Sequence, residues 1–436
     1  MRNIKYIFVC LLAAVINIGC LMAHTYQVKS SEEFNALKSL HPGDTILWEN
    51  GEYRDVTIKL KAQGTEDAPV VFRAQTFGKV IFKGASSISL DGQWCVAEGF
   101  TFNELDTSAK YSVLTTTKRS SGCRFSDCRV DGKGSKISSV DTKWVSLYGR
   151  NNEVSYCTFH DKRNMGCLLV VWMEEGIVPA HIIKNNSFYR PYTHYDDKGK
   201  PRNGQESIRI GTSTYSLNDG NCIVTGNHFY KCDGERAEVI SNKSCGNIYE
   251  GNLFEDSVGT LTLRHGNRCI VRGNYFISSG REDVGGVRVI GEDHLVENNV
   301  MQNLTGTAYN TALCVVKGES EAELNGYWTV RNLVFRNNRI IDCLNGIHLN
   351  YGKRETQDSH PVNLQFSDNL IVSGKSYHIT FRVQDMPLSE IAWDDSNVVY
   401  GGKSKGFSVE TIKIKPAVED YSAQMETVKS NSGVRW

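Results

Sequence analysis

Nine copies of one short phrase constrain this chain more than any other feature: "SDCRV", "SYCTF", "KNNSF", "TGNHF", "EGNLF", "RGNYF", "ENNVM", "RNNRI" and "SDNLI". The third residue of each is Cys128, Cys157, Asn186, Asn227, Asn252, Asn274, Asn299, Asn338 and Asn369, at spacings of 29, 29, 41, 25, 22, 25, 39 and 31 residues. A minimum near 22 with variable excess describes the rungs of a coil with loops hung on them. Between the phrases lie short alternating strands and glycine-rich turns, with no long helical period. The pattern predicts an all-β chain wound as a right-handed parallel β-helix. Rungs about 4.8 Å apart bring equivalent residues into register, so the asparagines should bond to one another along the axis. The competing reading is a β-sandwich with repeated turns.

A β-helix must cover its open ends. "SSEEFNALKSL" at 30–40 predicts a capping helix, with Ser30 and Glu33 at capping-box spacing and Phe34, Leu37 and Leu40 facing the first rung. Residues 376–436 lack the repeated phrase and are expected to cap the far end. No change of composition marks a second domain, so residues 24–436 read as one β-helix domain.

Residues 1–23 read as an export signal, with Arg2 and Lys5 before an apolar stretch and a cleavage site after Ala23. Export places the protein in the periplasm, at the outer membrane or outside the cell. Cys20 after Gly19 offers the alternative of a lipoprotein. No other segment is apolar enough for a transmembrane helix. Lys+Arg and Asp+Glu both number 49, so no global field favours nucleic acid or a membrane surface. Any polyanion must therefore meet locally clustered cations. Of 13 cysteines, Cys10 and Cys20 fall in the signal, and the odd remainder argues against a fully paired framework. Most read as small buried hydrophobes, with one or two disulfides left open. No Cys or His spacing suggests zinc.

A second strand recurs in the middle rungs: "ESIRIG" (206–211), "RAEVIS" (236–241), "LTLRHG" (261–266), "GVRVIG" (286–291) and "GIHLNYG" (346–352). Alternation turns Ile208, Val239, Leu263 and Val289 inward, and Arg209, Arg236, Glu238, Arg264 and Arg288 outward along one face. Lys243 follows the second strand, and Arg264 lies 21 residues later, about one rung away. Tyr249, His265 and Tyr351 flank this stripe, with His294 and His348 as further groove candidates. Clustered guanidiniums beside aromatic rings suit an acidic polymer.

"NGQESIRIG" (203–211), "AEVISNKS" (237–244), "LTLRHG" and "GGVRVIG" (285–291) resemble the core motifs of polysaccharide lyase family 6, which contains alginate lyases and chondroitinase B. "HPGDTILWENGEYRDVTI", "GKVIFKGASSISLDG" and "FHDKRNMGCLLVVW" resemble other parts of that family, and the likeness covers about residues 25–400. It implies a β-helix enzyme that cleaves uronic-acid polysaccharides by β-elimination, with alginate as the favoured partner and dermatan sulfate the alternative. Carried over by motif, Lys243 is the Brønsted base, Arg264 serves the acid side, Arg288 contacts a substrate carboxylate, and Asn203 belongs to a calcium or substrate site.

The chemistry accounts for these residue types. Removing the C5 proton of a uronate loads charge onto an already anionic carboxylate, which needs positive charge beside it. The base must be a free amine, a form that neighbouring guanidiniums favour. The departing O4 needs a donor, for which Arg264, Tyr249 or water qualifies. One departure stands out. Family members often carry Glu-x-Glu before the lysine motif, two acids that help hold calcium. Here Glu238 is present, but Arg236 occupies the earlier position and Glu235 lies beside it. The expectation is therefore a metal-free site in which Arg236 or His265 supplies the charge and Glu238 pairs with Arg236. The rival is a calcium ion held by Asn203, Glu206, Glu235 and Glu238. Two other functions compete: a polyuronate hydrolase, which needs paired carboxylates, and a non-catalytic polysaccharide-binding β-helix.

Overall fold

The computed structural model describes residues 23–436; the segment read as an export signal, with Cys10 and Cys20, lies outside the described residues but for Ala23. Three long parallel sheets run the length of the molecule: sheet A has 14 strands, beginning Thr25–Val28, while sheet B, beginning Gly51–Arg54, and sheet C, beginning Thr57–Leu60, have 13 each. Each rung contributes one short strand to each sheet in the order A, B, C, and successive rungs stack as a right-handed parallel β-helix. The apolar core fills the space between the sheets.

The repeated phrase is the corner between sheets A and B. Its second residue takes a left-handed backbone, with φ of 55° at Asn185, 62° at Gly226, 60° at Gly251, 61° at Gly273 and 56° at Asn298. That conformation explains the preference for Gly, Asn or Asp there. The third residue points inward and forms the expected ladder. Asn186, Asn227, Asn252, Asn274, Asn299 and Asn338 each donate from Nδ2 to Oδ1 of the next asparagine, at 2.9–3.2 Å. Asn397 extends the ladder one rung beyond Asn369, at 2.8 Å. Two residues after the ladder position, Phe188, Phe229, Phe254 and Phe276 stack with centroids 4.6–4.8 Å apart.

A second column fills the corner between sheets C and A. There the backbone N–H groups of Cys123 and Cys222 donate to Asn152 Oδ1 and Asn247 Oδ1, both at 2.9 Å. Those of Asn152 and Cys269 donate instead to His181 Nδ1 and His294 Nδ1, at 3.0 and 3.2 Å. His294 is therefore a buried turn residue, not a groove residue. All eleven cysteines among the described residues are buried and unbridged. Among the described residues no helix is long and apolar enough to cross a membrane.

Helix α1 spans Ser31–Ala36, capped by Ser30 Oγ, which accepts the Glu33 N–H at 3.2 Å. Phe34 packs edge-on against Phe72, with centroids 5.2 Å apart. The helix stops short of residue 40 because Leu37 turns extended, though Leu37 and Leu40 still pack against the core. The far end departs from expectation. Strands Ile379–Val383, Ile391–Trp393, Val398–Tyr400 and Lys403–Lys405 continue the three sheets, and Phe407 and Val409 beyond them pack against the core. The chain then returns along the A–B corner through helix α2 (Ser422–Ser430). Lys429 bonds Glu255 at 2.8 Å, the Gly433 N–H donates to Asn185 O at 2.9 Å, and Arg435 grips Asp127 at 2.6 and 2.9 Å. Trp436 lies against Gly78 (φ 75°), where a Cβ would stand 2.3 Å from its ring.

Candidate active site

The site is built on the outer face of sheet C, on strands Ile208–Gly211, Glu238–Lys243, Gly259–His265 and Val284–Val289. Register places Arg209, Ser241, Thr262 and Arg288 in one outward column, and Gly211, Lys243 and His265 in the next. Ile208, Leu263 and Val289 face inward as alternation requires, with Ile240 in the same inward set. Register shifts interrupt the alternation, and two of them, between Glu238–Lys243 and Gly259–His265, shape the site. Val239 is an extra residue beside Ile240, so both are buried. Arg264 is an extra residue between the pairs Asn242–Leu263 and Lys243–His265. Such an insertion re-aims a side chain, and it turns Arg264 into the space above Lys243.

That space is a cavity of about 550 Å³ lined by Lys243, Arg264, His265 and Arg288, by Asn203, Glu235 and Glu238, and by Tyr309, Asn325, Tyr327 and Arg354. Lys243 is half-buried and has no carboxylate partner among the described residues. Arg264 is held from behind: Nη1 donates to Gly326 O at 2.7 Å and Nη2 to Asn325 O at 2.9 Å, and the guanidinium lies 4.4 Å over the Tyr327 ring. Nη1 also donates to His265 Nε2 at 2.8 Å. Of the five guanidinium N–H groups, Nε–H and one on Nη2 remain for a ligand. Burial, then the Arg264 and Lys243 charges, depress the His265 pKa to about 3. His265 is thus a neutral acceptor, with its proton on Nδ1 toward Ser213 Oγ at 3.4 Å. It does not supply positive charge, contrary to one expectation above.

The acids also differ from expectation. Arg236 sits in a left-handed turn (φ 59°) before the strand, which begins at Glu238, and it does not line the cavity. Glu238 pairs with Arg288, not Arg236. The same turn brings Glu235 to the side of Glu238, and one carboxylate oxygen each from Glu206, Glu235 and Glu238 lies within 4.8 Å of the others. Glu235 also accepts N–H bonds from Gly204 at 2.8 Å and Gln205 at 3.4 Å, and the Cys167 thiol donates to Glu206 at 2.8 Å. Burial, then Glu206 and Glu238, push the Glu235 carboxyl well above its ordinary range. Three convergent carboxylates, of which Glu238 alone has a guanidinium partner in Arg288, offer the hard oxygens that suit a calcium ion. The structural basis for the metal-free expectation, an Arg236–Glu238 pair, is absent.

Other expected residues lie elsewhere. Tyr249 is wholly buried in sheet A, its hydroxyl donating to Asn242 Oδ1 at 2.7 Å, so it cannot reach a leaving group. His348 and Tyr351 are buried beyond the cavity, stacked edge-on with centroids 4.9 Å apart. Arg209 stands outside the cavity, 5.4 Å over Trp172. Lys162, in the family-like stretch 159–172, is buried and holds a turn, donating to the Asn164 and Met165 carbonyls at 2.9 and 2.7 Å. Of the residues not anticipated, Tyr309 lies in the turn before the sheet C strand Leu313–Val316, Asn325 and Tyr327 follow that strand, and Arg354 follows the sheet C strand Asn345–Tyr351. Their signal was ladder spacing: the longest gaps, 41 and 39 residues, hold the loops bearing Asn203 and Tyr327.

The architecture and its groove define a right-handed parallel β-helix protein with a cationic site on one sheet. The profile of the Chondroitinase B family matches residues 28–434, and the chain belongs to that family, polysaccharide lyase family 6. Among solved structures, the family 6 alginate lyase AlyGC is 30% identical with a TM-score of 0.82 over 94% of this chain. This chain spans 56% of the length of AlyGC. A mannuronic acid specific family 6 lyase from human gut microbiota shares the fold, with 23% identity, a TM-score of 0.74, and coverage of 95% of this chain and 96% of that one. So does the alginate lyase AlyF-OU02, at 21% identity and a TM-score of 0.77 over 95% of each chain. A search of curated protein sequences finds no match.

Proposed function

We propose that this protein is an exported polysaccharide lyase that cleaves alginate by β-elimination. The observation that carries the reading is the placement of Lys243, unpaired, beside Arg264 in one cationic cavity. Lys243 takes the C5 proton of a uronate. The electrons left behind form the C4=C5 double bond as the C4–O4 bond breaks, and the O4 pair leaves toward the free N–H groups of Arg264. A solvent proton completes the new hydroxyl, which spares the guanidinium a costly deprotonation. His265 and the Asn325 and Gly326 carbonyls fix Arg264 in place beforehand, so little reorganisation accompanies the step. Glu206, Glu235 and Glu238, with Asn203 nearby, would hold calcium, which when bound would neutralise the uronate carboxylate. The charged and then apolar segment at residues 1–23 supports export.

The test is the ultraviolet absorbance of the unsaturated uronate, measured on alginate, polymannuronate, polyguluronate and dermatan sulfate. Product from alginate, abolished in Lys243→Ala, is the expected result. Product from dermatan sulfate alone would make the protein a dermatan sulfate lyase. Binding without product would leave a polysaccharide-binding β-helix.

A further inference from the structure

Outside the cavity, the same outward column of sheet C carries a second feature. Leu147, Val171, Ile210 and Asn242 are register partners facing inward. The residues that follow them, Tyr148, Trp172, Gly211 and Lys243, therefore share one outward line. Tyr148 and Trp172 stack at 5.8 Å between centroids and 14° between planes. Both rings are half-buried, and neither packs against the core. Nearby Arg209 lies 5.4 Å over Trp172 and has no carboxylate partner among the described residues. Gly211, between Trp172 and Lys243, admits no side chain: its φ is 90° and a Cβ would stand 2.4 Å from Lys243 O. The floor between the aromatic pair and the lysine is thus bare.

The opposite direction is covered. Ile290, Cys314, Val316 and Tyr351 lie beneath Tyr309, Tyr327 and Trp328. Along the axis, this leaves the lower-numbered rungs as the open direction from Lys243.

We propose that Tyr148, Trp172 and Arg209 form a sugar-binding subsite for the arm of an acidic polysaccharide that leaves the Lys243–Arg264 cavity. The inference rests on the proposed lyase reading. Rungs advance by about 4.8 Å, so Trp172 and Tyr148 stand roughly 10 and 14 Å from Lys243 along the axis, two to three pyranose lengths away. With Tyr148 stacked against one face of Trp172 and Arg209 over the ring, the half-buried edges of the two aromatic side chains offer a sugar an apolar flank, and the unpaired guanidinium takes its carboxylate. The site recognises uronic-acid oligosaccharides long enough to reach it.

The experiment compares kcat/KM for a uronate hexasaccharide with that for a trisaccharide. The ratio is expected to fall about tenfold in Trp172→Ala and in Tyr148→Ala, and less in Tyr148→Phe, which keeps the ring. An unchanged ratio in both alanine variants overturns the subsite. Hexasaccharide affinity, measured by calorimetry on Lys243→Ala, gives a readout independent of turnover. Adding Trp172→Ala or Arg209→Ala should weaken it several-fold, and equal affinity overturns the proposal. Wild-type protein that releases no unsaturated product would refute the lyase reading alone, because the calorimetric arm still decides the subsite.

Discussion

Lowering the pH should loosen this coil through two histidines that stand where asparagines stand on neighbouring rungs. His181 and His294 accept backbone N–H bonds at Nδ1, as Asn152 and Asn247 do at Oδ1. An imidazolium cannot accept, and burial holds the two pKa values at about 3 and about 4. An unfolded histidine titrates near 6.5. Below that pH the unfolded chain binds protons that the native chain refuses, so this contribution, complete above about pH 6.5, is lost as the pH falls toward the folded values. At pH 5 each histidine costs roughly 2 kcal/mol relative to pH 8, or about 4 kcal/mol for the pair. The assay is urea unfolding at pH 8 and pH 5 for the wild type and for a His181→Asn/His294→Asn double variant. The double variant should lose about 4 kcal/mol of pH dependence while keeping an acceptor on each rung. Equal pH dependence in both proteins would refute the reasoning.

Three further outcomes are expected. Lys243→Ala should lower turnover of alginate by roughly a thousandfold with no change in melting temperature, and Lys243→Arg should not restore it, as read from the unsaturated product. Asn274→Ala removes an Oδ1 that accepts two bonds from Asn252 and an Nδ2 that donates to Tyr249 O and Asn299 Oδ1. It should cost about 3 kcal/mol in urea unfolding, since buried partners are left unpaired. Added calcium should raise the thermal midpoint of the wild type more than that of Glu235→Gln; equal shifts, or none, would remove the acid cluster as its site.

The β-helix was legible because its ladder is written in residue types with one physical use: an Asn amide donates and accepts along the axis, and Gly, Asn or Asp tolerates the left-handed corner. Lys243, Arg264 and Arg288 were legible because their motifs fall on neighbouring rungs of one face. Alternation misled only where a strand is not regular. The turn at Arg236 and the bulge at Val239 reversed the roles expected of Arg236 and Glu235. Tyr249 was readable in principle, since it occupies the position of Val224 and Val271 in neighbouring rungs and so faces the core. The wall built by Tyr309 and Tyr327 was not, because loop residues carry no periodicity, and only the excess spacing of the ladder marked where such loops hang.

The returning C-terminal segment changes how the molecule should come apart. A stack in which each layer touches only its neighbours can fray from either tip one layer at a time. Here Arg435 and Trp436 are fastened to Asp127 and Gly78, while Phe407 lies on the final strands. Like a cord tied along a pile of coins, this segment makes loss of the top layers pull on the bottom ones, and it favours a single concerted collapse over gradual unravelling.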